Sequence, residues 1–153
     1  MVDQAPVDAF AAVRGWLIEE GYPPELLPDG RTLSFVFDGQ NSDLYVYVYV
    51  PETIDVVVVY CSCPFDIPQN TIEAAKEFVA RVNYTMLVGS LDLNVDDGDL
   101  RFRCSVDFRG VGLTQDLFRN VRNPPAYGMD RYLPAIRALV IEQRSPLEAL
   151  AVI

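Results

Sequence analysis

Apolar residues recur along this chain with two periods, and the change of period separates helices from strands. A 3.6-residue spacing through Phe10, Val13 and Leu17 predicts an amphipathic helix over residues 6 to 20, which Gly21 and two prolines end. The same spacing predicts further helical segments, and Ser145 before a proline is typical of the start of the last one. These segments are residues 68 to 86, 114 to 123, 129 to 143 after an interruption at "PPAYG", and 146 to 153.

Alternation of apolar and polar positions predicts five strands. They cover residues 32 to 38, 44 to 50, 54 to 63, 90 to 95 and 100 to 108. Short connections make the first three an antiparallel meander, and Gly98 supplies the turn of a hairpin between the last two. Keeping every pairing antiparallel after the long crossover gives the order 1-2-3-5-4. The fold class is therefore α+β, with the order α-βββ-α-ββ-α, a five-stranded sheet with flanking helices, and a single domain over residues 1–153.

The second predicted strand has two dissimilar faces. Leu44, Val46, Val48 and Val50 alternate with the tyrosines on its other side, which are Tyr45, Tyr47 and Tyr49. We expect the first and C-terminal helices to pack on the valine side. The tyrosine side, called the tyrosine face below, is then left open, and together with the second helix it is the predicted surface for self-association or partner binding.

Charge and composition narrow the possible functions. The 153 residues are 50% hydrophobic and carry a net charge of -10, so their field repels phosphate backbones and anionic lipids. We therefore expect no nucleic-acid partner and no membrane partner. The N-terminus lacks the basic and apolar regions of a signal peptide, and three cysteines fit reduced thiols, which predicts a cytoplasmic protein.

The absence of histidine removes the Ser-His and Cys-His pairs and most zinc chemistry. Cys61, Cys63 and Cys104 fall on adjacent predicted strands and could form a three-thiolate site. Their alternation with core residues favours buried structural cysteines instead.

Each cluster of charged residues could be a functional site or only a solvated or paired group on the surface. Asp96, Asp97 and Asp99 lack the spacing and the bidentate glutamate of a calcium loop, which favours a solvated turn. The remaining candidates are the carboxylate pairs Glu19 with Glu20 and Asp29 with Asp38, and the arginines Arg101, Arg103 and Arg109. Nothing places either carboxylate pair in an apolar pocket, and the arginines are expected to form cross-strand pairs opposite Asp92. We predict no catalytic residues, no metal site and no cofactor.

Two segments carry a resemblance to a known family. They are "NYTMLVGSLDLNVDDGDLRFRCSVDF", residues 83 to 108, and "GMDRYLPAIRALVIEQRSPLEAL", residues 128 to 150. Together with the order of elements they resemble the YbjN family of bacterial proteins, described as sensory transduction regulators, and the second segment resembles its cyanobacterial members. The resemblance implies a fold like that of type III secretion chaperones, which are small, acidic, dimeric and not enzymes.

The sequence thus favours a non-enzymatic protein-interaction module, chaperone-like or regulatory, that forms a homodimer and binds a protein partner of unknown identity. The alternative is a sensing domain that holds a small apolar ligand between sheet and helices. An enzyme is the least supported class, because no catalytic constellation is present.

Overall fold

The computed structural model describes residues 8–153. The helices are α1 Ala9–Glu19, α2 Ile72–Thr85, α3 Gln115–Val140 and α4 Pro146–Leu150, with a single 3-10 turn at Gln69–Thr71 before α2. The strands are β1 Glu25–Leu26, β2 Thr32–Asp38, β3 Asp43–Tyr49, β4 Val56–Ser62, β5 Ser90–Leu93 and β6 Leu100–Asp107. The start of the first predicted helix, before Asp8, lies outside the described residues.

The strands form one antiparallel sheet in the order β1-β2-β3-β4-β6-β5. The α+β class is confirmed, and the five predicted strands follow one another as expected. The count of five is wrong, because β1 pairs with the outer side of β2 through Glu25 and Leu26. A two-residue strand lying among prolines has no alternation from which a strand could be predicted.

The long helix α3 corrects a second prediction. It runs without a break through Pro124, Pro125 and Pro134, although "PPAYG" was expected to interrupt it. Proline lacks the N–H that would bond to the carbonyl four residues earlier, so Pro134 leaves the Asp130 carbonyl without its helical partner. The Asn41 side-chain amide donates to that carbonyl at 2.9 Å. A contact from the turn between β2 and β3 therefore replaces the helical bond that Pro134 removes.

The turn between β2 and β3 is held on α3 by the same aspartate. The Asp130 carboxylate is buried and accepts hydrogen bonds from the backbone N–H groups of Gln40 at 3.1 Å and Asn41 at 2.8 Å. Arg137 adds a bond to the Asn41 carbonyl at 3.3 Å. One turn of α3 thus fixes the connection that leads into β3.

All four helices contribute to one hydrophobic core on the valine side of the sheet. Val13 and Leu17 of α1 join Val46 and Val48 of β3 in a single buried cluster. The buried side chains of α2 belong to the same cluster; they are Ile72, Ala75, Phe78 and Val82. The expectation that only the first and C-terminal helices pack on the valine side is therefore wrong, since the apolar stripe of α2 packs there too, near β5 and α4.

The C-terminal elements are fixed by local signals. Ser145 caps α4, accepting from the Glu148 N–H at 3.3 Å, while the Glu148 carboxylate accepts from the Ser145 N–H at 2.9 Å. The predicted N-cap and first helical proline are confirmed. Over the range 8–153 the structure has no helix with the length and hydropathy needed to cross a membrane.

Candidate functional site: the open face of the sheet

Within residues 8–153 the tyrosine face is open, because the described helices lie on the other side of the sheet. In β3 the valines are fully buried, whereas Tyr45 is 59% exposed, Tyr49 is 39% exposed and Tyr47 is half-buried. The alternation of β3 therefore places the three candidate residues on one surface, with exposed Tyr45 and Tyr49 on either side of Tyr47.

Tyr47 makes specific contacts in the middle of this surface. It lies opposite Tyr60 of β4, and the two rings stack with centroids 5.1 Å apart at 20°. The guanidinium of Arg101 lies 4.9 Å from the centre of the Tyr60 ring. Burial raises the pKa of Tyr60, although the positive charge of Arg101 acts in the opposite direction. Tyr60 is consequently uncharged at neutral pH.

Apolar residues of the neighbouring strands extend the tyrosine face. Val36 of β2 lies opposite Tyr45 and is 50% exposed, and half-buried Val58 of β4 lies opposite Tyr49. The pattern of the second strand alone does not predict that Val36, Val58 and Tyr60 share this face. Register across neighbouring strands is the signal that would have found them, since residues directly opposite share a face.

Charged residues at the β6 side of the face are paired. Asp92 of β5 lies 2.7 Å from Arg103 and 3.9 Å from Arg101, as the cross-strand prediction requires. Arg109 pairs with Asp107 of its own segment instead of Asp92, so that part of the prediction is wrong. Because these pairs are largely exposed, each contributes only about 0–1 kcal/mol to stability. They do, however, neutralise most of the charge beside the aromatic rows.

The three cysteines face the core. All are free and buried, and burial raises the pKa of Cys61 to about 12 and that of Cys63 to about 11. Burial raises the pKa of Cys104 as well. A thiol must ionise to act as a nucleophile or a metal ligand, so these positions favour structural cysteines.

The carboxylate candidates do not form an acid/base pair. Glu20 is bound to Arg119 at 2.8 Å and Arg122 at 3.1 Å, whereas Glu19 is exposed. Asp29 accepts from the Thr32 hydroxyl at 2.6 Å, and this bond, with two backbone N–H groups, lowers its pKa. Asp38 stands apart at the end of β2. The two predicted pairs are thus separate structural groups.

The acidic turn also uses its side chains locally. Asp97 accepts from the Asp99 N–H at 2.9 Å, and Asn94 accepts from the Asp96 N–H at 3.0 Å. Across residues 8–153, no three histidine, cysteine or acidic side chains are grouped as metal ligands would be.

The fold and this surface define a small α+β protein whose helices cover one face of an antiparallel sheet and leave an aromatic face open. The chain belongs to the YbjN family, since the family model described as "Putative bacterial sensory transduction regulator" matches residues 10–136. No curated protein matches the sequence.

The fold is similar to that of a solved structure titled "Crystal structure of YbjN, a putative transcription regulator from E. coli". The two share 15% sequence identity with a TM-score of 0.54, over 76% of this chain and 82% of the other. At this identity the likeness shows a common fold.

Proposed function

We propose that this protein is a non-enzymatic regulatory or chaperone-like interaction module of the cytoplasm, and that the tyrosine face is its contact surface. The observation that carries the proposal is the exposure of Tyr45, Tyr49 and Val36 on a sheet face that no described helix covers. Contiguous exposed apolar residues on a sheet are typical of a surface that binds another protein. The family description as a regulator supports the same class.

The proposed arrangement is a homodimer in which the tyrosine faces of the two copies bury each other. The alternative is that a different protein binds the same face. Six tyrosines that each bury at least ~150 Å² would remove ~900 Å² from water, or about 20 kcal/mol at ~25 cal/mol per Å² as an upper bound. Association costs on the order of 4–15 kcal/mol. Because Tyr47 is already half-buried against Tyr60, the free energy gained by burial is smaller than this bound. It exceeds the cost of association by only a small margin.

The alternative of an apolar ligand between sheet and helices receives no support from the core. Buried residues of the sheet and of all four helices form one contiguous hydrophobic cluster in that layer. The layer is filled by the side chains that hold the fold together.

Tyr45→Asp tests the proposal. Tyr45 is the most exposed of the three tyrosines, so an aspartate there places a charge in the contact without disturbing the Tyr47–Tyr60 stack. We expect the mass measured by light scattering to fall from dimer to monomer, or retention of a captured partner to fall at least tenfold.

Tyr84→Asp is the matched control, because Tyr84 is 92% exposed on α2, away from the sheet face. It should leave mass and partner retention unchanged. If Tyr45→Asp behaved like Tyr84→Asp in both measurements, the tyrosine face would not be the contact surface.

A further inference from the structure

An open cleft of about 700 Å³ lies between α3 and the turn that joins β2 to β3. Its walls are Tyr22, Phe37 and Tyr127, and its polar rim carries Asp38, Asp130 and Arg131. Pockets of ~300–1,000 Å³ hold small organic molecules. This cleft is separate from the tyrosine face, and no residue pattern in the sequence predicts it.

The aromatic walls are held in place by other rings. Phe37 and Tyr127 meet edge to face with centroids 5.1 Å apart, and Tyr22 packs on Phe35 at 4.9 Å. Tyr127 is 59% exposed, so a large part of that side chain is free to contact a ligand. The cleft therefore offers aromatic surface beside a polar rim, and the polar part is the larger part of its exposed lining.

One of these rings, that of Tyr22, already contacts a cation. Arg122 of α3 is buried, and its guanidinium lies 4.8 Å from the centre of the Tyr22 ring. At the rim, Arg131 lies 5.7 Å from the ring centre of Tyr132, a residue that does not line the cleft. Aromatic faces bind ammonium and guanidinium groups through the ring quadrupole.

The charges in and around the cleft bear on the charge of a ligand that could bind there. Asp38, Asp130 and Arg131 line the cleft, Arg137 donates to the Asn41 carbonyl of the same turn, and the whole chain carries a net charge of -10. Asp130 accepts two backbone N–H bonds, and each carboxylate oxygen can accept a further donor. Asp38 is exposed at the end of β2 and is free to meet a ligand. The negative field of the whole chain would repel an anion here and attract a protonated amine.

We propose that this cleft is a binding site for a small organic cation, an amine on an aromatic or apolar body. Its body packs on Tyr127, Phe37 and Tyr22, and its ammonium group lies toward Asp38 and Asp130. The site is independent of the proposed function.

The test titrates benzylamine, benzyl alcohol and benzoate into the full-length ¹⁵N-labelled protein at pH 7. The three probes share a ring and differ in charge. We expect benzylamine to give saturable amide shifts at Gly39, Gln40 and Asn41, benzyl alcohol to bind at least tenfold more weakly, and benzoate to give no saturable shift. Equal shifts from benzoate, or none from benzylamine, would overturn the proposal.

Two variants and a control localise the binding. Asp38→Asn should weaken benzylamine at least fivefold because it removes an exposed charge, and Tyr127→Leu should weaken it similarly while keeping an apolar contact on Phe37. Glu52→Gln removes an exposed carboxylate from the loop before β4, outside the cleft, and should leave the affinity unchanged. Unaltered spectra elsewhere would show that each variant is folded, and equal affinity of Asp38→Asn and the parent would refute the site.

Discussion

The thiols of Cys61, Cys63 and Cys104 lie on the helix-covered face of the sheet, where water does not reach them readily. Burial penalises the charged thiolate, which is why the pKa of Cys61 rises to about 12. The negative charge of a neighbouring ionised Cys63 would act in the same direction. The pairing of β4 with β6 places Val59 opposite Cys104, so the three cysteines share the apolar layer.

We expect the native thiols to resist alkylation by iodoacetamide at pH 8. A raised pKa leaves the folded protein with protonated thiols at that pH, while an unfolded chain, whose thiols have pKa values of ~8.5, reacts readily. Mass spectrometry should find native protein largely unmodified after a time in which guanidinium-unfolded protein gains three adducts, one per cysteine. Rapid modification of native Cys61 or Cys63 would contradict the inferred burial.

At the scale of elements, α3 approaches the sheet closely because one of its residues lacks a side chain. A Cβ atom added at Gly128 would collide with the ring of Phe102 on β6. Phe102 is itself almost fully buried and has no free direction in which to move. Gly15 in α1 has the opposite environment, with no atom within 4 Å of the added Cβ.

Gly128→Ala and Gly15→Ala should therefore shift the free energy of unfolding in opposite directions. Alanine favours a helix over glycine by about 1 kcal/mol, which Gly15→Ala should gain in large part. At Gly128 the collision should cost ~1–3 kcal/mol and outweigh that gain. Urea denaturation measures both variants, and stabilisation by Gly128→Ala would show that α3 does not pack as described.

The elements also show what sequence can predict. The strands and the tyrosine face followed from a two-residue period, which is a local property and needs only the pattern around Tyr45, Tyr47 and Tyr49. Strand β1 and the continuity of α3 could not be predicted, because pairing with β2 and the bond from Asn41 override local preference. The side of the sheet on which α2 packs could not be predicted either, because its contacts with β5 and α4 are not visible in its own pattern. The cleft was inaccessible to sequence reasoning, since Tyr22, Phe37 and Tyr127 are far apart in the chain.

At the scale of the whole molecule, net charge opposes the proposed self-association. Two copies that each carry a charge of -10 repel one another, while the rows of tyrosine and valine attract through burial. The paired arginines near Asp92 remove little of the overall imbalance. Which of the two effects prevails depends on the surrounding salt.

The proposed dimer should therefore become tighter as salt is added. Raising sodium chloride from 20 to 300 mM screens the repulsion, and we expect the dissociation constant to fall several-fold in analytical ultracentrifugation. Complexes held by attraction between this acidic protein and a basic surface would weaken under the same change. A dimer that dissociates on adding salt would contradict an interface built on burial.

The bond from Asn41 to the carbonyl that Pro134 leaves free bears on how the molecule folds. Three interior prolines give α3 fewer bonds of its own, and such a helix has little stability in water when separated from its surroundings. Its nucleation thus depends on a sheet that is already assembled, beginning with the meander of β2, β3 and β4, whose contacts are close in sequence. We therefore expect α3, the longest described helix, to form late in folding, on a sheet that is already in place.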